Sequence, residues 1–326
     1  MSERRVRWGI LGVADILRRV MPGARLASSA ELLAIASRSA ERARTYAAAE
    51  GIPRVHESYD ALLADPDVEA VYIPLPNSLH HEWTLAALAA GKHVLCEKPY
   101  SRHPNEVAEA FDAADGAGLL LMEAFMWRHH PRTKKFVELL PEIGRLQTVR
   151  TTFSWKMEAD PVDIRLERGL DGGSLMDVGC YCVSATRLIA GQEPIAVHGE
   201  QVVGPSGVDV RFTGILRFPG DVIAEFTSGF TTDHEGIEAI GSDGSILVAD
   251  PWTSKIGGIA VNGRDVALEP ADAYHHEFEN FSRAIRGDEP QLLGRADALG
   301  QSRTIEALYR AAETGASVEL SPAISA

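Results

Sequence analysis

Apolar residues come in two rhythms along this chain. Through the first 122 residues, short apolar runs alternate with stretches whose apolar positions recur every three to four residues. The runs at 6–11 (Val-Arg-Trp-Gly-Ile-Leu), 32–36, 70–73, 93–96 and 119–122 predict strands. Between them the spacing predicts helices through Ile16, Leu17 and Val20, over 40–50, over 59–64, through Trp83, Leu85, Ala86 and Leu88, and over 105–117. Ser39 suits the N-cap of the 40–50 helix and Gly51 the position past its end. Strands alternating with helices indicate a parallel, doubly wound sheet, so residues 1–122 are expected to form one α/β domain.

From residue 123 the rhythm changes. A strand rich in Thr, Val and Phe is predicted over 146–155 and a helix over 175–190. Period-2 segments follow, Val208-Asp209-Val210-Arg211-Phe212 and Ile223-Ala224-Glu225-Phe226, with Pro219-Gly220-Asp221 as a hairpin turn between them. Gly241-Ser242-Asp243-Gly244 punctuates the next pair, and helices over 274–286 and 296–313 close the chain. Residues 123–326 are therefore expected to form an α+β domain with an open, mostly antiparallel sheet.

Composition narrows the function classes. The 326 residues are 45% hydrophobic and 24% charged, a globular composition. A formal net charge of -14 argues against nucleic acid or an anionic membrane as partner. The three cysteines, Cys96, Cys180 and Cys182, give no disulfide framework. The last two are too close for a zinc pair, and the histidine doublets at 80–81, 129–130 and 275–276 lack ligand spacing, so no metal is expected. No GxSxG elbow appears. Met1-Ser2-Glu3-Arg4-Arg5 leads straight into a strand without a long apolar run, and a cytoplasmic protein is expected.

Three stretches can carry chemistry. Gly12-Val13-Ala14-Asp15-Ile16-Leu17 joins the first strand to the first helix, where a glycine turn lets backbone N–H groups approach a pyrophosphate. Only the first glycine of the GxGxxG fingerprint stands, so an ordinary strand-to-helix turn is the competing reading. Ser37-Arg38 ends the second strand. A basic residue there suits a 2′-phosphate and hence NADP(H), unless Arg38 is simply an exposed loop arginine. In Val94-Leu95-Cys96-Glu97-Lys98-Pro99 the proline cannot continue the ladder, so the backbone turns at Glu97-Lys98. Ligands of open α/β sheets bind beyond the carboxyl ends of the strands, which makes Lys98 a candidate for chemistry. A cis Lys98–Pro99 bond is expected, aiming the lysine into that crevice. Further on, Gly172-Gly173-Ser174-Leu175-Met176-Asp177-Val178-Gly179-Cys180-Tyr181 places Asp177 and Tyr181 four apart on one helical face. Ser174 with Asp177 equally resembles a capping box, and Tyr181 equally suits a core aromatic.

Taken together, Glu97-Lys98-Pro99, Pro76-Asn77-Ser78-Leu79-His80-His81 and the Gly172-to-Tyr181 segment resemble the Gfo/Idh/MocA oxidoreductase family over nearly the whole chain. Glu123-Ala124-Phe125-Met126-Trp127-Arg128 and Tyr181 resemble the branch with dimeric dihydrodiol dehydrogenases, D-xylose dehydrogenases and NADPH-dependent sugar ketoreductases. The resemblance implies a Rossmann domain that binds NAD(P), for which Arg38 points to NADP(H) in preference to NAD(H), and a homo-oligomer formed through the second domain's sheet. It implies that Gly12, Val13, Ala14, Asp15 and Ile16 hold the pyrophosphate and that Ser37 and Arg38 hold the adenosine ribose and its phosphate. Leu75, Pro76, Asn77 and His80 would line the cofactor channel, with Glu97 near the nicotinamide ribose and Trp127, Arg128 and Arg165 bordering the nicotinamide. Lys98 would reach nicotinamide and substrate, and Asp177 and Tyr181 would face the substrate. Ala14 departs from the glycine that many members carry.

Hydride transfer to or from a carbinol carbon needs a group that moves the proton on oxygen. A free tyrosine titrates near about 10, and a neighbouring ammonium favours its phenolate. Tyr181 is thus expected as general acid/base, Lys98 as its electrostatic partner and Asp177 as an orienting group, at a site shared by the two domains. A sugar or sugar-like polyol is the expected substrate. A trans-dihydrodiol dehydrogenase, with Trp127 and Phe153 against an aromatic ring, and a non-catalytic cofactor-binding regulator are the alternatives.

Overall fold

A computed structural model of the chain describes residues 5–158, 163–252 and 258–320. Residues 1–4, on which the absence of a leader was read, lie outside them. The first elements are β1 (Val6–Leu11), α1 (Leu17–Leu26), β2 (Ala30–Ala36), α2 (Ala40–Glu50), β3 (Arg54–His56) and α3 (Tyr59–Leu63). Next come β4 (Ala70–Ile73), α4 (His80–Ala89), β5 (His93–Glu97), α5 (Pro104–Ala117), β6 (Leu121–Ala124), α6 (Met126–His129) and α7 (Pro131–Leu139). The second half has β7 (Leu146–Ser154), α8 (Cys180–Ala190), β8 (Ala196–Val203), β9 (Asp209–Arg217), β10 (Ile223–Gly229) and β11 (His234–Gly241). It continues with β12 (Ser245–Val248), β13 (Ile259–Val261), β14 (Arg264–Val266), α9 (Ala273–Arg286), α10 (Arg295–Thr314) and β15 (Val318–Glu319).

The chain divides into two compact units, Met1–His129 with Asp272–Ala298, and His130–Ala271 with Leu299–Ala326. In the first, six parallel strands run in the order β3-β2-β1-β4-β5-β6. This is the doubly wound Rossmann order, in which the strand order switches direction between β1 and β4. Ser39 caps α2 by accepting from the Arg42 N–H, and Gly51 ends the helix at φ 65°. The final strand sits two residues later than the pattern placed it, at Leu121–Ala124.

A single cut at 122/123 misses one element. The α9 helix groups with the first unit, because its aromatic face meets β1. Trp8 lies 4.8 Å from Phe278 and 5.9 Å from Phe281 between ring centroids, and its Nε1 donates to Ser282 Oγ at 3.1 Å. Burying three aromatic side chains together stabilises the packing by several kcal/mol in area terms, roughly 1.5–3 per ring.

The second unit is a nine-stranded sheet ordered β14-β13-β12-β11-β7-β10-β9-β8-β15, antiparallel except for β7 beside β10. The predicted alternation holds over 223–226, with Ala224 and Phe226 buried and Ile223 and Glu225 facing out, and from Arg211 onward. It fails at Asp209, which is buried at 3% exposure because its carboxylate accepts from the Leu175 N–H and the Ser174 hydroxyl. Phe212 and Phe226 stack at 6.0 Å across the β9–β10 pair. The predicted 175–190 helix begins instead as a π-helical turn, Leu175–Gly179, before α8.

Candidate active site

In the first unit the sheet ends where the proline says it must. Pro99 gives no N–H to the ladder, β5 stops at Glu97, and the Lys98–Pro99 peptide is cis. Glu97 is gripped on both oxygens. Oε1 accepts from the Tyr72 hydroxyl at 2.5 Å and Oε2 from the Lys98 backbone N–H at 3.2 Å. Tyr72 sits on the adjacent strand, and burial, then the Glu97 charge, push its phenol well above the ordinary range. Lys98 itself is half-exposed.

His80 was expected to line a channel. It is instead fully buried, with Nε2 2.8 Å from Leu75 O and Nδ1 3.0 Å from Pro99 O. It sits between the turn after β4 and the turn after β5, packed against both, with the single N–H of the neutral ring donating to one of the two carbonyls it faces. Burial holds its pKa below the usual imidazole value, against the pull of those carbonyls. Leu75, Pro76 and Asn77, in the turn it braces, are half-exposed.

The turn after β1 places Gly12 at φ 130°, where a Cβ would come within 3.0 Å of Leu75 Cδ2. Only glycine is free of strain there. Val13 O accepts from Arg42 Nη2 at 3.0 Å. Val13, Ala14 and Ile16 are half-exposed and Asp15 exposed, and no side chain caps the start of α1. An uncapped helix start beside a glycine turn suits an anionic pyrophosphate, so the residues present fit a dinucleotide. Ser37 is buried, with its Oγ accepting from the Ser39 N–H at 3.3 Å, whereas Arg38 is exposed at the strand end. Trp127 is 3% exposed, with the Arg128 guanidinium 5.8 Å from its ring centre, and Arg128 pairs with Asp297 at 3.2 Å.

In the second unit the glycine pair before Asp177 has a steric reason. A Cβ on Gly172 would meet Arg165 O at 2.4 Å, and one on Gly173, at φ 121°, would meet Asp209 Oδ1 at 2.2 Å. Ser174 is no cap: its hydroxyl donates to Asp209 Oδ2 at 2.8 Å. That carboxylate also accepts from the Leu175 N–H at 2.7 Å and the Tyr309 hydroxyl at 2.9 Å. The capping-box alternative is thereby removed. Asp177 Oδ2 instead meets Trp155 Nε1 and Arg165 Nε, each at 3.3 Å. Arg165 also pairs with Asp163 at 3.2 Å and lies over the Trp155 ring. Burial would lower its pKa, but the Asp177 and Asp163 carboxylates outweigh that and raise it.

Tyr181, 8% exposed, packs edge-on to Phe153 at 5.3 Å and lies 5.8 Å from Trp252. Phe153 and Trp155 are two apart on the β7 path, so one side of that strand touches both Tyr181 and Asp177. Tyr72, Trp155, Trp252 and Asp209 were not read as site residues. Nothing in a strand interior or a loop distinguishes them until the partners are in place. Among the described residues no group of three or more His, Cys, Asp or Glu could hold a metal ion, and no helix is long and apolar enough to cross a membrane.

Known proteins share this fold and sequence pattern. Residues 6–125 match the family model for Gfo/Idh/MocA oxidoreductases with an NAD-binding Rossmann fold, and residues 141–247 match that family's C-terminal domain. An NADP⁺ D-xylose 1-dehydrogenase from Haloferax volcanii is 41% identical over 323 residues, covering 96% of this chain and 99% of that protein. The aldose-aldose oxidoreductase of Caulobacter crescentus, solved with glycerol, superposes with a TM-score of 0.91 at 30% identity, over 97% of this chain and 100% of that one. A 3-ketoreductase from Actinomadura kijaniata, solved with NADP and TDP-benzene, gives 0.89 at 30% identity, over 94% and 98%. With both domain models matched in order and whole-length relatives at this identity, the chain belongs to the Gfo/Idh/MocA family of oxidoreductases.

Proposed function

We propose that the protein transfers hydride between NADP(H) and a carbinol or carbonyl carbon of a sugar or sugar-like polyol. The observation that carries this reading is Lys98 at the carboxyl end of β5, its N–H held by Glu97 and its turn braced by His80. The D-xylose dehydrogenase and the ketoreductase act as precedents for the substrate class and for NADP.

When bound, the nicotinamide supplies the hydride position. The turn at Gly12 to Ile16 would hold the pyrophosphate on backbone N–H groups, and Ser37 with Arg38 the adenosine ribose and its 2′-phosphate. Glu97 would accept from the nicotinamide ribose. Tyr181 would give or take the proton on the substrate oxygen, with the Lys98 ammonium favouring its phenolate. Asp177 would orient Arg165 at the nicotinamide end, with Trp127 and Arg128 bordering it. The open face of the second unit's sheet, where Ile215 and Ile223 stand 46% and 50% exposed, would seat a second copy of the chain.

The test is turnover of NADP⁺ and NAD⁺ with D-xylose and other aldoses, and of NADPH with keto-sugars. Sugar-dependent turnover preferring NADP(H) is expected, with the preference for NADP⁺ collapsing in Arg38→Ala. NADPH binding without turnover on any sugar would instead favour a cofactor-binding regulator, and an unchanged NADP⁺/NAD⁺ ratio in Arg38→Ala would remove that residue from the reading.

A further inference from the structure

The His80-His81 doublet lacks metal-ligand spacing, yet both of its rings meet one segment. That segment is Lys98-Pro99-Tyr100, just past β5. Pro99 O lies 3.0 Å from His80 Nδ1, and the Tyr100 hydroxyl lies 3.1 Å from His81 Nδ1. The His81 and Tyr100 rings meet edge-on, 6.3 Å apart. On its far side His81 Nε2 lies 3.2 Å from Glu109 Oε2, on α5. A chain of hydrogen bonds thus runs from an exposed carboxylate through a half-buried imidazole to a tyrosine only 2% exposed.

The chemistry of the three groups fixes the direction of each bond. A carboxylate only accepts, so Nε2 carries the hydrogen toward Glu109. A neutral imidazole has one N–H, which leaves Nδ1 an acceptor for the Tyr100 hydroxyl. Burial holds the Tyr100 phenol well above its ordinary range, so it remains a neutral donor. The buried hydroxyl thereby has the partner that a buried tyrosine needs.

Tyr100 is held at its other end as well. Its backbone N–H donates to Glu123 Oε1 at 2.8 Å, and Glu123 is itself buried on β6. Lys98 gives its own N–H to Glu97 at 3.2 Å. Between them stands Pro99, whose ring fixes φ. Few free torsions separate the Tyr100 side chain from the Lys98 backbone, so a displaced phenol displaces Lys98.

We propose that His81 and Tyr100 are positioning residues for hydride transfer, a strut from α4 and α5 that keeps the Lys98 backbone in place. The proposal rests on the reading of Lys98 as a nicotinamide-end residue. A simple tie between α4 and α5 would add stability and leave the chemistry alone, so the two roles part in the kinetics.

The experiment measures kcat and KM for sugar, NADPH affinity and thermal midpoint in wild type, Tyr100→Phe, His81→Leu, their double variant and His81→Asn. Phenylalanine keeps the buried ring and loses the hydroxyl. Asparagine keeps an acceptor close to the place of Nδ1, and leucine keeps none. Expected is kcat down roughly tenfold in Y100F and in H81L, with KM and NADPH affinity within about threefold of wild type. The double variant should be no slower than either single, because one strut can be cut only once. H81N should recover kcat to within about threefold of wild type. Wild-type kcat in Y100F (whatever its midpoint), a double variant roughly a hundredfold down, or H81N as slow as H81L would each overturn the proposal. If wild type turns over no sugar, the reading of Lys98 fails and the kinetic role with it. The strut is then judged by nitrogen NMR of the His81 ring at a pH where imidazole is neutral. The Nε2–H tautomer, with an Nδ1 signal that moves in Y100F, is the expected result. An Nδ1–H tautomer or an unmoved signal would overturn the strut itself.

Discussion

The Arg165 guanidinium stands 3.3 Å from the Asp177 carboxylate, and that pair fixes what Asp177 can do. The same oxygen meets the Trp155 indole N–H, so Asp177 is an anchor for two side chains of its own unit. Asp177→Asn keeps the shape and removes the charge. Loss of activity without loss of fold is the expected outcome: kcat/KM for sugar down roughly 10- to 100-fold, and a midpoint within a few degrees of wild type, since the pair is partly exposed and worth about 1 kcal/mol or less. Steady-state kinetics beside a thermal melt checks it. Unchanged kinetics would leave Asp177 a purely structural residue.

Tyr181→Phe separates the phenol from the ring. The ring packs against Phe153 and Trp252, and phenylalanine preserves those contacts. Turnover should fall by roughly 10² to 10⁴ while NADPH titration and the melt stay near wild type. Near-full turnover would move the proton transfer to another group, with Lys98 the first candidate.

Much of this was legible because the chemistry leaves local marks. Pro99 stops β5 and so delivers Lys98, and Ser39 with Gly51 brackets α2. Other parts leave no local mark. The three residues of β3, Arg54–His56, are too short and too polar to show a period. The α9 helix was legible as a helix, but its partner Trp8 lies more than 260 residues away in sequence, so pattern alone assigned it to the wrong neighbours. The channel position of His80 is an implication of the family resemblance, and nothing local in the sequence marks the residue as a packed one. Only the positions of the Leu75 and Pro99 carbonyls show it as a brace. The π-turn at Leu175–Gly179 is likewise invisible to a period of 3.6.

Gly173→Ala tests the segment that carries Asp177. Its φ of 121° is strained for any L side chain, and a Cβ would lie 2.2 Å from Asp209 Oδ1. Asp209 cannot retreat cheaply, because it accepts from Ser174, Leu175 and Tyr309 in a buried setting. The expected cost is about 3 kcal/mol or more, read as a lower denaturation midpoint and weakened sugar turnover. A midpoint equal to wild type would mean the segment relaxes freely, and with it the steric reason for the glycine pair.

His80 makes a prediction about acid. Burial lowers its folded pKa, so the native imidazole stays neutral at pH values where the unfolded chain is already protonated, below about 6.5. The unfolded state then binds more protons, and stability rises with pH through that window. This contribution is present above about pH 6.5 and is lost as pH falls toward the depressed folded pKa. His80→Gln removes the titration and keeps an N–H donor, but not the ring that fills the buried space between the two turns. The variant should melt lower than wild type at pH 8, and the gap should narrow between pH 6.5 and 5, because only wild type loses the histidine contribution there. Parallel melting curves with a constant gap across that range would show that His80 does not titrate differently on unfolding, and its brace would then be independent of pH.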